Sequence, residues 1–131
     1  MQVTSMTGVI YNFNPEKVVE VTGPHETDMD TRLYLYGIAM TPVAISGDAA
    51  AFVTSMPNVK SFAPLTFAKT NKIFWTNASY ITAVHDEPSD VAAKFPFAKA
   101  GVLIGRGKHP RYVSESVADA RIVINNAGGN V

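Results

Sequence analysis

The sequence repeats itself, and that repeat limits the fold more than any other feature. Displaced by 63 residues, Val9–Val21 overlays Lys72–Val84 without a gap: Ile10 falls on Ile73, Tyr11 on Phe74, Asn14 on Asn77, Val18 on Ile81 and Val21 on Val84. Displaced by 68, Leu35–Val53 overlays Leu103–Arg121, with Leu35 on Leu103, Gly37 on Gly105, Pro42 on Pro110, Ile45 on Val113, Ser46 on Ser114 and Ala50 on Ala118. The displacement grows by five between the blocks, so the second copy carries a longer middle loop. Loops absorb insertions and strands do not. Self-similarity of this kind marks a duplicated structural unit; chance likeness between two β-rich halves is the alternative.

Each copy reads as four short strands followed by a helix. In the first, Gly8–Phe13, Lys17–Val21, Arg32–Ile38 and Val43–Ile45 are rich in β-branched and aromatic residues. Asn14-Pro15 and the Gly23-Pro24 loop separate them with turn chemistry. Asp48 is an N-cap for a helix from Ala49 to Met56, with Phe52, Val53 and Met56 on one face and Pro57 as its stop. In the second copy, Lys72–Asn77, Tyr80–Val84, Gly101–Gly105 and Arg111–Val113 are the strands. Ser116, with Asp119 three residues on, starts a helix and Gly128 ends it. The run Arg121–Asn125 is β-branched enough to be a strand instead. The chain is therefore expected to be α+β: two pseudo-symmetric ββββα units sharing one core, with antiparallel sheets and a helix ending each unit. The first unit covers 8–56, a connector that packs along the core through Phe62 and Phe67 covers 57–70, and the second unit covers 71–127. The polar tail from Asn125 onward is expected to fray.

Composition narrows the chemistry. Of 131 residues 47 % are apolar and only 17 % charged, a poor charge density for the surface of so small a domain. Cover by a second copy is one explanation, and a homodimer is expected. The absence of cysteine removes disulfides, thiolate metal sites and thiol nucleophiles. The first residues have neither a basic nor an apolar segment of the secretory kind, and no apolar run is long enough to span a bilayer. A cytoplasmic location with no membrane partner is expected. Net charge is zero, yet residues 1–59 balance to −4 and residues 60–131 to +4. Such asymmetry points to an anionic partner for the second half or to electrostatic pairing between units.

The turn Gly105-Arg106-Gly107-Lys108-His109-Pro110-Arg111 gathers three fixed positive charges and a histidine. Its glycines let a ligand approach the backbone closely. It is not a nucleotide-binding P-loop, because the glycine spacing is wrong and no Lys-Ser/Thr pair opens a helix. A basic hairpin tip in water is the competing reading. Tyr80 and Tyr112 can offer stacking surfaces beside Arg106, Lys108, Arg111 and Lys72, as single-strand binding requires. Trp75 shares a face with Ile73, which places it in the core. His25, Glu26, Asp28 and Asp30 form one acidic loop and His85, Asp86, Glu87 and Asp90 another. Neither has calcium-loop spacing, and both read as solvated loops. No hydrolase, zinc-protease or dinucleotide motif is present. Ser114-Glu115-Ser116 is explained by capping.

Tandem β-β-β-β-α units joined by a connector resemble the architecture of PUR-repeat and Whirly-like proteins over about residues 8–127. The resemblance implies binding of single-stranded DNA or RNA. It transfers no binding residue, because those proteins carry more basic and aromatic residues on their exposed sheets. The leading expectation is a non-enzymatic protein without cofactor that binds single-stranded nucleic acid through its basic second unit. The alternative is a non-catalytic structural or assembly module for protein–protein contact, with a viral or mobile-element origin as the expected source.

Overall fold

A computed structural model describes residues 1–86, 94–105 and 110–131. The chain divides into two compact units, Met1–Val59 and Lys60–Val131. Among the described residues there are ten strands, paired antiparallel, and two α-helices.

The first unit opens with a hairpin of β1 (Gln2–Thr4) and β2 (Ile10–Asn12), with Val3 opposite Tyr11. The Ser5 N–H donates to the Val9 carbonyl at 2.8 Å, and the Gly8 N–H to the Ser5 carbonyl at 2.9 Å. Gly8 closes this tip at φ +87, a conformation that costs glycine nothing. The chain then makes a 3₁₀ turn, Pro15–Lys17. Asn14 caps it by accepting the Glu16 N–H, and Pro15 supplies the preset φ of a first helical position. Next come β3 (Glu20–Thr22), β4 (Arg32–Tyr36) and β5 (Val43–Ser46), with Val21 opposite Leu35 and Leu33 opposite Ile45. Period-two alternation puts Leu33 and Leu35 inside and leaves Arg32, Tyr34 and Tyr36 half-buried. Helix α1 (Ala49–Ser55) packs on β3 and β4, and Ala49, Val53 and Met56 are buried. Asp48 caps it through the Ala51 N–H at 2.9 Å. The Met6 N–H donates to the Ala44 carbonyl, which fastens the end of the hairpin to β5.

The second unit opens with β6 (Phe62–Thr66) and β7 (Ile73–Asn77), with Leu65 opposite Phe74 and Ala63 opposite Thr76. At its tip the Phe67 N–H donates to the Lys72 carbonyl, and the Asn71 N–H to the Phe67 carbonyl, both at 2.8 Å. Asn71 takes φ +58 there. A 3₁₀ turn, Ala78–Tyr80, follows, capped by Asn77 through the Ser79 N–H. Strands β8 (Ile81–Asp86), β9 (Ala100–Ile104) and β10 (Arg111–Val113) form an antiparallel sheet in which Val84 faces Val102 and Tyr112 faces Gly101. Helix α2 (Val117–Asn126) covers β6, β8 and β9. Its Ser116 cap accepts the Asp119 N–H at 3.1 Å. The core joins Leu65, Phe74, Ile81, Val84, Val102, Val113 and Ile124. The Ala68 N–H donates to the Tyr112 carbonyl and the Ser114 N–H to the Thr66 carbonyl, so β10 also holds the end of β6.

Several expectations are corrected. Among the described residues each unit has five strands, not four. Gln2–Thr4 precedes the expected start at residue 8, and the stretch 57–70, expected as a connector, contributes β6. β1 is too short to show alternation, and Pro64 breaks the strand signature of β6 although its side chain is exposed opposite Trp75. Trp75 and Ile73 do share a face, but it is not the core face. Phe74 and Thr76 are buried, Trp75 is half-buried and Ile73 is 52 % exposed. Residues 121–125 are helical, as the helix expected from Ser116 requires and not the alternative strand, and α2 is capped at both ends. Gly128 (φ +93) donates to Asn125 and Gly129 to Ile124, the paired bonds of a glycine-terminated helix. The tail folds back on the helix, where Val131 exchanges two 3.0 Å hydrogen bonds with the Asn125 side chain. Among the described residues no helix is long and apolar enough to cross a membrane.

Candidate nucleic-acid interface

The expected site residues do not all come together. Arg106 and Lys108, with His109, lie outside the described residues, as do Glu87 and Asp90 of the second acidic loop. Arg111 opens β10, and its guanidinium carbon lies 4.6 Å from the centroid of Phe67 and 4.9 Å from that of Phe74. This is cation–π distance, so Arg111 packs on the rings that the hairpin β6–β7 supplies. Tyr112, next in β10, lies with its ring 4.9 Å from Phe95, and Phe95 meets Phe67 edge-on at 6.0 Å. Phe67 also meets Phe74 edge-on at 6.4 Å. Lys72 is exposed at the tip of the same hairpin, where its carbonyl holds the Phe67 N–H.

Tyr80 belongs elsewhere. It is half-buried, and its carbonyl accepts the Gly105 N–H at 2.6 Å, beyond the far end of β9. Tyr112 pairs with Gly101, so the two tyrosines are separated by about 13 Å along that strand. The cluster is therefore Phe67, Phe74, Phe95, Arg111 and Tyr112, with exposed Lys69, Lys72, Lys94 and Lys99 around it in the chain. Neither 60–85 nor 94–114 contains an aspartate or glutamate. Sequence reading missed Phe95 and Phe97. The signal was present in Lys94-Phe95-Pro96-Phe97-Ala98-Lys99, where aromatics alternate around a proline between two lysines.

Glu115 is fully engaged in structure. Its carboxylate accepts the Thr66 N–H at 2.9 Å and the Thr66 hydroxyl at 2.8 Å, tying β6 to the entry of α2. In the first unit, the acidic loop closes on itself. The Asp28 carboxylate accepts the Tyr34 hydroxyl and the His25 N–H, each at 2.8 Å. Arg32 grips Asp30 with two bonds, at 2.6 and 2.8 Å, and the His25 ring stacks on Tyr34 at 4.1 Å. The Tyr34 hydroxyl, with the His25 N–H and Arg32, holds the Asp28 carboxyl below the usual aspartate value of 3.8. The Arg32 guanidinium lowers Asp30 in the same way. Burial, aided by its bond to Asp28, raises Tyr34. These charge-assisted bonds hold the loop together.

Comparison with protein-family models, with curated proteins and with solved structures finds no match to this chain.

Proposed function

We propose that the protein is a duplicated, non-catalytic binding module whose second unit engages single-stranded nucleic acid. The observation that carries this reading is the aromatic cluster around Phe67, Phe95 and Tyr112, drawn from two segments, 67–85 and 94–114, that contain no aspartate or glutamate and hold the exposed Lys69, Lys72, Lys94 and Lys99. Phosphates of a single strand need cations, and its unpaired bases need aromatic faces. Both are present on one unit, whereas the acidic first unit repels a strand.

Duplication is supported by details that the sequence alone does not contain. The hairpin tips are alike, though the second is one residue longer: the Ser5 N–H donates to the Val9 carbonyl and the Phe67 N–H to the Lys72 carbonyl, with Gly8 and Asn71 both at positive φ. Asn14 and Asn77 cap equivalent 3₁₀ turns. Met6 meets the Ala44 carbonyl as Ala68 meets that of Tyr112. Asp48 and Ser116 cap equivalent helices. Strand pairing refines the overlay in one place. Val21 faces Leu35 and Val84 faces Val102, so the counterpart of Leu35 is Val102, 67 residues on, and not Leu103.

The test is titration of fluorescent oligothymidine and oligouridine with the wild type and with the variant carrying Lys69→Ala, Lys72→Ala and Lys99→Ala. The reading expects binding by the wild type that the variant weakens at unchanged circular dichroism. Lack of binding by the wild type at low salt would refute it. A second reading, an assembly module acting by protein–protein contact, is favoured by the first hairpin, where Met6, Val9 and Ile10 are 42, 48 and 59 % exposed. Apolar groups gathered so closely on a surface suit a protein partner.

A further inference from the structure

Resting on the nucleic-acid reading, we propose that the ring of Phe97 is a stacking platform for one unpaired base, with Lys69, Lys94 and Lys99 as the phosphate contacts beside it. Phe97 follows Pro96 at the centre of a β-turn closed by the Ala98 N–H on the Phe95 carbonyl at 3.0 Å. Proline at the first central position presets the turn. The turn is held on both sides. The Phe97 N–H donates to the Ala68 carbonyl at 3.2 Å, beyond the end of β6, and the Lys99 N–H to the Val113 carbonyl at 2.9 Å, at the end of β10. The two phenylalanines of the turn then differ in use. Phe95 packs against Phe67 and Tyr112, while Phe97 is left 47 % exposed. Its backbone is anchored from two strands and its ring has no partner ring among the described residues. An aromatic surface presented on a fixed backbone loses little freedom when a ligand stacks on it.

The cations stand close in the chain to that ring. Lys94 precedes it by three residues and Lys99 follows it by two. Lys69 adjoins Ala68, whose carbonyl the Phe97 N–H meets, and all three lysines are exposed. Arg111 has a different part, because its guanidinium lies on Phe67 and Phe74 and packs within that ring cluster. The loop between β3 and β4 of the first unit carries Glu26, Asp28 and Asp30, whereas the segment before β9 of the second carries aromatic rings and lysines. Stacking on an aromatic face accepts any base but requires that the base be unpaired. The ligand class is accordingly a flexible single strand without a fixed sequence.

Anisotropy titrations of the full chain with oligothymidine and with an abasic strand of equal length and charge separate stacking from charge. Phe97→Ala should weaken oligothymidine binding about tenfold, leave abasic binding unchanged, and be rescued by Phe97→Tyr. Replacing Lys69, Lys94 and Lys99 by Ala should weaken both strands alike. If Phe97→Ala binds oligothymidine as the wild type does while the lysine variant loses it, the platform is refuted and nucleic-acid binding stands. Equal loss on both strands with Phe97→Ala would also refute it, since that marks a general structural effect. If the wild type binds neither strand, the platform and the reading beneath it fail together.

Discussion

A guanidinium lying on two aromatic rings is a packing element as much as a charge. Arg111 was legible as a cation from the sequence, but its contact with Phe67 and Phe74 joins residues more than thirty positions apart, which no local pattern reveals. Asn71 is the converse. Its type already tolerates the left-handed region, and it takes φ +58 where the first unit has Gly8. Asn71→Gly should leave stability unchanged or raise it slightly, whereas Asn71→Val should cost about 1–2 kcal/mol in urea unfolding, the penalty of a side chain that disfavours positive φ. Asp28 gives a pH prediction. Its carboxyl is held below its unfolded value by the Tyr34 hydroxyl, the His25 N–H and Arg32. The contribution is present above the unfolded aspartate range, near pH 4, and is lost as pH falls through the lowered folded value. Asp28→Asn should therefore be less stable than wild type at neutral pH, and the difference should shrink below about pH 4 in thermal melts.

At the scale of elements, capping and alternation carried the reading. Asp48 and Ser116 begin helices where their residue types say they should, and each accepts the N–H three residues on. Ser116→Ala should lower stability by about 1 kcal/mol, as loss of an N-cap does, and Asp48→Ala should act alike on the first helix. The strands β4, β7 and β8 were legible from their β-branched and aromatic residues. The three-residue β1 and the proline-bearing β6 were not, because their place comes from pairing with β2 and β7 rather than from their own pattern. Trp75 shows the limit of alternation. Period two says which residues share a face but not which face is buried, and here the core side is that of Phe74 and Thr76. Glu115 links two elements through its bonds to Thr66. Glu115→Ala leaves the Thr66 N–H and hydroxyl without that acceptor and should cost about 1–3 kcal/mol. Glu115→Gln should keep part of the contact.

For the whole molecule, the strongest sequence signal is the overlay of two halves, and the strongest functional contrast is their opposite charge, −4 in residues 1–59 and +4 in residues 60–131. The turns and caps of the two units support the proposal that the first reflects duplication. The acidic loop at Asp28–Arg32 and the lysines on either side of Phe97 give the second a place on the fold. The candidate site was only half legible: its lysines and Tyr112 stood out, but the rings that surround them meet through long-range pairing of β6, β9 and β10. Self-association is expected through the exposed Met6, Val9 and Ile10, and sedimentation velocity at micromolar concentration should show a species heavier than the monomer. The account's central claim is that the second unit neutralises phosphates of a single strand. Its most direct test is the salt dependence of oligothymidine affinity. Engagement of three or four phosphates predicts a log–log slope of roughly −2 to −3, reduced by about 2 in the variant lacking Lys69, Lys72 and Lys99. A slope near zero, or no measurable binding in dilute buffer where the force is strongest, would contradict it.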